Sequence, residues 1–360
     1  MHRFCILPSR AATIAFPFRS HLCASLNLRA GPLFLSWIRQ FTSYSQNSTS
    51  FHPSNRLSGR TCMITGGSSG IGFAIAERFL QEGVDRIILV GRTHERLVHA
   101  AKQLERPVPE TSDTFQPADT EYDNSVATQT PDEDQAQDRS KISPGTLLEA
   151  SGRISLLVGD VSEASTWTRE LENAMQPVDI LINAAGTSMS TVLPRTDPKG
   201  ISQVLRTNLE GSLLTSRALV RASIRNRMKS RTGDDLTSTT PIPSKCIINI
   251  SSLLALKGGT GAVPYAASKA GILGLTRSLT VEASKTLRNQ VIRTNAIVPG
   301  YIETPMIADF SQTENTKLQE DIPLRRFGQP HEVADAAVFL VQNEYANNCV
   351  INLDGGLSAL

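Results

Sequence analysis

Acidic residues are missing from the start of this 360-residue chain, where the first carboxylate is Glu77. Up to residue 50 the chain instead carries Arg3, Arg10, Arg19, Arg29 and Arg39 among serine, alanine, leucine and phenylalanine. An arginine-rich, serine-rich stretch without acid has the composition of an organellar transit peptide. Residues 1–50 are therefore expected to direct import into the mitochondrial matrix and to be removed near Arg39-Gln40-Phe41-Thr42-Ser43, a plain disordered tail being the competing reading. Long apolar runs are lacking as well. Arginine and proline break each one well short of the roughly 20 residues needed to cross a bilayer, which argues against stable membrane insertion. Strong net charge is absent (+2), and aromatic residues make up only 5%. Neither a nucleic-acid surface nor a polybasic membrane patch is indicated. The five cysteines, at 5, 23, 62, 246 and 349, show no Cys-x-x-Cys spacing. No zinc site or disulfide framework follows, and no histidine has a companion at metal-ligand spacing, so no metal is expected.

What the chain does contain is a regular alternation. Apolar strand-like runs at 61–64, 86–90, 154–158, 178–182, 246–250, 291–297 and 349–353 alternate with helical stretches. This pattern calls for an α/β fold, a parallel sheet covered by helices on both faces. Two stretches interrupt it. Residues 107–144 crowd proline, serine, threonine, glutamine and acid with few large apolar groups, and 230–243 separates a helix from the strand beginning near Cys246. Both read as loop insertions, the first too poor in apolar surface to order itself.

The first strand runs into Thr65-Gly66-Gly67-Ser68-Ser69-Gly70-Ile71-Gly72 and then into a helical pattern. Strand, glycine turn and helix in this order form a phosphate-binding corner: glycines let the backbone approach closely, and the helix N-terminus offers free N–H groups and a positive dipole. The spacing Gly-x-x-x-Gly-x-Gly differs from the ordinary dinucleotide fingerprint. Taken alone, the same glycines also fit a simple tight turn.

Tyr265-Ala266-Ala267-Ser268-Lys269 sets a phenol and an ammonium four residues apart, hence on one helix face, with Ser252 thirteen residues upstream. A nearby cation favours an ionised phenol, so Lys269 is expected to pull the Tyr265 pKa down toward working pH. Tyr-x-x-x-Lys by itself is common enough to arise by chance.

Taken in order, Thr65 to Gly72, Asp160-Val161, Asn183-Ala184-Ala185-Gly186, Asn208, Ser252, Tyr265 with Lys269, and Pro299-Gly300 make residues 56–360 resemble the short-chain dehydrogenase/reductase family. The segments Asn249-Ile250-Ser251-Ser252, Pro299 to Met306 and Asn352 to Gly356 are most similar to the 3-oxoacyl-[acyl-carrier-protein] reductases. The resemblance implies a single Rossmann-like domain with seven parallel strands in the order 3-2-1-4-5-6-7. It also implies that Asp160 and Val161 contact adenine, that Asn183 to Gly186 packs beside the cofactor, that Ile297 to Gly300, including Pro299, faces the nicotinamide, and that Ile302 and Thr304 bind the cofactor. Many relatives carry a second asparagine where Ala184 stands. The catalytic set implied is Asn208, Ser252, Tyr265 and Lys269, with Tyr265 as general acid, Ser252 on the carbonyl oxygen, Lys269 also on the nicotinamide ribose and Asn208 holding a water. By type alone, Asn208 also suits a cap or turn, and Ser251 is an alternative to Ser252.

After the second strand comes Gly91-Arg92-Thr93, where an NAD enzyme places a carboxylate on the ribose diol. Arg92, helped by Thr93, suits a 2′-phosphate instead, so NADPH/NADP+ is the expected cofactor, although an arginine also serves as a solvated residue at a helix start. Expected partners are an acyl-carrier protein or acyl-CoA substrate, with homotetramer assembly through the two long helices, a hetero-oligomer being possible. Met306, Ile307, Phe310 and Leu318 are candidate substrate-lid residues or packing contacts. Arg225, Arg227, Lys229, Arg288, Arg325 and Arg326 are a candidate docking patch or a solvated face. Competing readings are a reductase of another ketone or alcohol, such as a steroid, polyol or quinone, and a non-catalytic nucleotide-binding scaffold. Residues 1–50 fused to a fluorescent reporter are expected to accumulate in mitochondria; a diffuse cytosolic signal would refute the import reading.

Overall fold

Uninterrupted apolar runs become strands buried on both faces, because each face of the sheet is covered by helices. The computed structural model describes residues 54–106, 142–230, 244–287, 290–307 and 311–359. Its strands are β1 (Thr61–Thr65), β2 (Arg86–Gly91), β3 (Thr146–Glu149), β4 (Ile154–Val158), β5 (Ile180–Asn183), β6 (Lys245–Ile250), β7 (Ile292–Pro299) and β8 (Val350–Leu353). They form one sheet in the order β3-β4-β2-β1-β5-β6-β7-β8. All neighbours pair in parallel except β3, which runs antiparallel along β4. The seven expected strands are thus present in the expected order, and β3 is an addition. Four residues long and half-buried only at alternate positions, β3 lacks the continuous apolar run that marks the others.

The helices are α1 (Gly70–Gln81), α2 (His94–Leu104), α3 (Thr168–Ala174), α4 (Pro198–Leu205), α5 (Gly211–Ser230), α6 (Val263–Thr286), α7 (Gln312–Asp321) and α8 (Pro330–Gln342). Period-two alternation along the strands divides the core between them. Cys62 and Ile64 of β1 face a cluster with Phe79 of α1, Leu97 of α2 and Val338 of α8. Met63, between them in sequence, faces the other cluster with Leu171 of α3, Leu219 of α5 and Ala283 of α6. Cys62 and Cys246 are wholly buried, and burial pushes both thiols up, which suits inert packing residues.

Residues His52–Leu360 form one compact unit. At its start, the buried Glu82 carboxylate receives Arg56 Nε at 2.5 Å and Arg78 Nη1 at 2.5 Å, and it also bonds Ser54. These contacts tie the segment before β1 to the end of α1. The leader at 1–50 lies outside the described residues, as do nearly all of the insertions at 107–144 and 230–243. Among the described residues no helix is long and apolar enough to cross a membrane.

Arg293, near the start of β7, is 1% exposed. Its guanidinium donates to the carbonyls of Leu340 (2.6 Å), Val341 (2.7 Å) and Ala346 (3.0 Å) and to Ser244 Oγ (2.7 Å). A cation set into the C-terminal end of α8 satisfies carbonyls left without helical partners and complements the helix dipole. Arg293→Met keeps the bulk but strands these acceptors in the core. It is expected to cost about 3 kcal/mol of stability, readable as a lower midpoint in urea unfolding.

Candidate active site

A parallel sheet sends every strand's carboxyl end to one edge, so residues that follow different strands meet there. The glycine corner follows β1. Gly66 has φ 68°, and a Cβ on it would lie 2.8 Å from Ala185 Cα; one on Gly72 would lie 2.4 Å from the Gly66 carbonyl oxygen. Only glycine fits either place. Ser69 is the N-cap of α1 in extended conformation and its side chain makes no capping bond, so the first amides of α1 stay open to an anion. Thr65 Oγ1 accepts from the amides of Ala184 (3.2 Å) and Ala185 (3.1 Å), locking the corner to the turn after β5. The Thr304 side chain, from the segment after β7, lies against Gly70, where an added Cβ would approach it to 3.3 Å.

At the end of β2, exposed Arg92 lies 3.8 Å from Asp160, which follows β4. The Asp160 carboxylate accepts from Ser162 N (2.9 Å) and Oγ (2.8 Å), capping a short turn that starts at buried Val161. The proposed adenine and 2′-phosphate residues are therefore adjacent. Thr93 caps the start of α2 by position, without a side-chain bond. The Asn183 carboxamide is buried, donating to Asn249 Oδ1 (2.8 Å) and accepting from Thr215 Oγ1 (2.7 Å). Asn249 in turn donates to Thr276 (3.0 Å). This chain of bonds joins α5, two central strands and α6, and Asn183 acts by holding them together.

Asn208 lies in a π-turn, Arg206–Glu210, set between α4 and α5. Such a bulge carries an extra residue in one helical turn, a common device at functional sites. Its side chain is 1% exposed and closely held: Oδ1 accepts from Thr187 N (2.8 Å), while Nδ2 donates to Thr187 O (3.0 Å) and Ser268 Oγ (3.0 Å). Ser268 Oγ then donates to the Tyr265 carbonyl (2.7 Å). Both amide hydrogens of Asn208 are consumed by the protein, so any water must be held by an acceptor. Gly186 lies beside both groups, since a Cβ on it would be 3.4 Å from Lys269 Nζ and 3.5 Å from Asn208 Oδ1.

Ser252 follows β6 and N-caps a short turn through Leu254 N (3.2 Å). Its hydroxyl also faces the Tyr265 phenol on the first turn of α6 and acts on that group's pKa. Lys269 is 4% exposed; Nζ donates to the Ile250 carbonyl (2.8 Å) and lies 5.7 Å from the Tyr265 ring centroid. Serine, tyrosine and lysine thus converge as the spacing required. The expected depression of the phenol pKa is corrected: burial pushes Tyr265 up, Ser252 opposing this in part. Lys269 is aimed at a strand carbonyl, and its own pKa is pulled by burial from 10.5 down to about 8. The influences on the phenol pKa are its own burial and Ser252, with Lys269 not among them.

The segment after β7 is anchored at both ends. Gly300 packs on Asp354, and Ile302 bridges to Gly328. Arg326 pairs with Glu332 in two bonds (2.6 and 2.8 Å), which hold the Glu332 carboxyl down to about 2. Ile322 and Phe327 pack with Leu253 beside Ser252, and Ile307 and Leu318 join them, whereas Met306 is exposed. Phe310 lies outside the described residues. The docking patch is revised as well. Arg225 is paired with Glu172, Arg326 with Glu332, and Arg325 donates to the Glu320 carbonyl, so these three cations have internal partners. Arg288 and the side chains of Arg227 and Lys229 fall outside the described residues. No cluster of metal-ligating side chains occurs among the described residues.

A buried ammonium with a depressed pKa opposes folding at neutral pH. The unfolded chain binds the extra proton between pH 8 and 10.5, so this group's contribution to stability rises with pH across that range. Lys269→Met is therefore expected to raise the stability of the nucleotide-free protein at pH 7 by about 2 kcal/mol, the desolvation relieved less one hydrogen bond lost. The gain should vanish as pH approaches 10.5, as paired thermal melts would reveal.

Comparison with known proteins agrees with this geometry. Residues 60–136 match the family model described as short chain dehydrogenase, and residues 126–358 match the model described as Enoyl-(Acyl carrier protein) reductase. The 3-oxoacyl-[acyl-carrier-protein] reductase of Bos taurus is 30% identical over 298 residues, covering 83% of this chain and 98% of the relative. The Homo sapiens protein of the same name is 30% identical over 301 residues, covering 84% of this chain and 99% of the relative. Among solved structures, the 3-oxoacyl-[acyl-carrier protein] reductase from Brucella melitensis shares the fold with a TM-score of 0.63 at 23% identity, covering 86% of this chain and 95% of that one. The shared sheet, the glycine corner and the converging serine, tyrosine and lysine have one common explanation: this chain belongs to the short-chain dehydrogenase/reductase family of oxidoreductases.

Proposed function

We propose that this protein reduces a 3-oxoacyl thioester, carried on acyl-carrier protein or coenzyme A, to the 3-hydroxyacyl form with NADPH, as a step of fatty acid synthesis in the mitochondrial matrix. The observation that carries the reading is the Ser252–Tyr265 hydroxyl pair, backed by Lys269, at the strand edge that holds the glycine corner. Kinship at 30% identity with proteins named 3-oxoacyl-[acyl-carrier-protein] reductase favours the substrate class. Compartment rests on the acid-free, arginine-rich leader.

The residues present fit a dinucleotide. The crowding at Gly66 and Gly72 and the uncapped start of α1 suit its pyrophosphate. Arg92, with no carboxylate at that strand end, suits a 2′-phosphate and hence NADPH. Bound nicotinamide would supply hydride to the ketone carbon. As negative charge grows on the carbonyl oxygen, the Ser252 hydroxyl donates a hydrogen bond to it and Tyr265 delivers the proton. A phenol kept protonated by burial is a competent general acid across neutral pH, and Lys269 sits to replenish it. Leu213 on α5 and Val281 on α6 expose apolar surface, which supports homotetramer assembly through these helices.

Tyr265→Phe is expected to lower kcat at least a thousandfold while leaving NADPH affinity within about twofold, because the phenol acts in the transition state. Protein starting at residue 44 should reduce acetoacetyl-carrier protein or acetoacetyl-CoA with NADPH in clear preference to NADH. A preference for a ketosteroid, or nucleotide binding without turnover of any ketone, would overturn the proposal.

A further inference from the structure

Two serines stand at the end of β6. Ser252 reaches the Tyr265 phenol; Ser251, 3% exposed, turns the other way. Its hydroxyl donates to the main-chain carbonyl of Lys269 at 2.8 Å. Lys269 Nζ in turn donates to the main-chain carbonyl of Ile250, also at 2.8 Å. The strand end and the α6 turn thus grip each other reciprocally, the side chain of each partner bonding backbone of the other. The Lys269 carbonyl lies well inside α6, where a carbonyl already has a helical N–H partner. The Ser251 bond is therefore additional to the helix and fixes its position relative to the strand.

We propose that Ser251 is a positioning residue, which sets the depth of Lys269 in the site by holding its carbonyl to the end of β6. The inference rests on the reading of Lys269 and Tyr265 as cofactor-binding and proton-delivery groups. Ser251 touches neither substrate nor cofactor. Through the grip it limits sliding of the turn that carries both groups, and small displacements of reacting groups are costly in rate. The other end of the same turn is held by Ser268, which bonds the Tyr265 carbonyl and is itself bonded by Asn208. Loss of the Ser251 hydroxyl leaves that second tether in place, so the helix should remain folded and only the Lys269 end should loosen.

Ser251→Ala removes one oxygen and opens no sizeable cavity. Expected are a fall in kcat of about tenfold and a weakening of NADPH binding of about three- to tenfold by nucleotide fluorescence titration, since Lys269 serves both. Ser251→Thr retains the hydroxyl and should recover most of both losses. Constants for Ser251→Ala within twofold of the unmodified protein would overturn the proposal. So would losses of equal size in both variants that follow a fall in melting temperature, which mark a packing role. Tyr265→Phe assayed alongside separates the two layers: if it retains turnover, the proton-delivery reading fails, and the NADPH titration alone then decides the role of Ser251.

Discussion

A single hydrogen bond, from the Lys269 ammonium to the Ile250 carbonyl, concentrates the energetic tension of this molecule. Water would solvate that charge far better than one carbonyl does, so the arrangement survives only because the surroundings are fixed by other means. Strand β6 is buried on both faces, and α6 is tied to it at Lys269, at Ser252 and, two turns further on, through Thr276 to Asn249. The cation is placed by the fold and does little to stabilise it. Sites of function are where such local costs are expected.

Around this point the polar side chains divide into two groups. Asn183, Asn249, Thr215 and Thr276 bind one another, the backbone and the neighbouring Ser216 hydroxyl, and they weld the sheet to the long helices on one face. Asn208, Ser268, Ser252 and Ser251 make a second set along the cleft, each with one contact to the turn bearing Tyr265 and Lys269 or to a group that touches it. A rigid frame and a tethered reactive turn are thus built from the same residue types, separated by about two helical turns. The segment after β7 completes the cleft with a different chemistry: a bridge at Ile302, an apolar cluster at Ile322 and Phe327, and the Arg326–Glu332 pair.

Much of this was legible because its determinants are local. Continuous runs such as Ile87-Ile88-Leu89-Val90 have no other stable home than a two-sided sheet, and Gly66 to Gly72 and Tyr265 to Lys269 carry their geometry in their spacing. What escaped depends on pairings distant in sequence. The asparagines of β5 and β6 look like functional polar residues until one sees that they bond one another across strands. Arg225 looks solvent-directed until Glu172 of α3 is found beneath it. Arg293 lies within a run legible only as a strand, its partners lying 47 and 48 residues further on. The phenol pKa is not carried by helical spacing, which places two groups on one face without revealing where each side chain ends.

The π-turn at Asn208 has a topological consequence. Helices α4 and α5 are one continuous helical run with a single bulge between them, Arg206–Glu210. Each residue of an α-helix turns the chain by about 100°. Arg217, Arg221 and Arg225 form a row along α5 that meets Glu172. Removing the bulge by one residue would therefore swing that row away from its carboxylate, or else swing Asn208 out of the cleft. The surplus residue works as a phase shifter, letting one rod present its first half to the reaction and its second half to the scaffold, each in its own angular register.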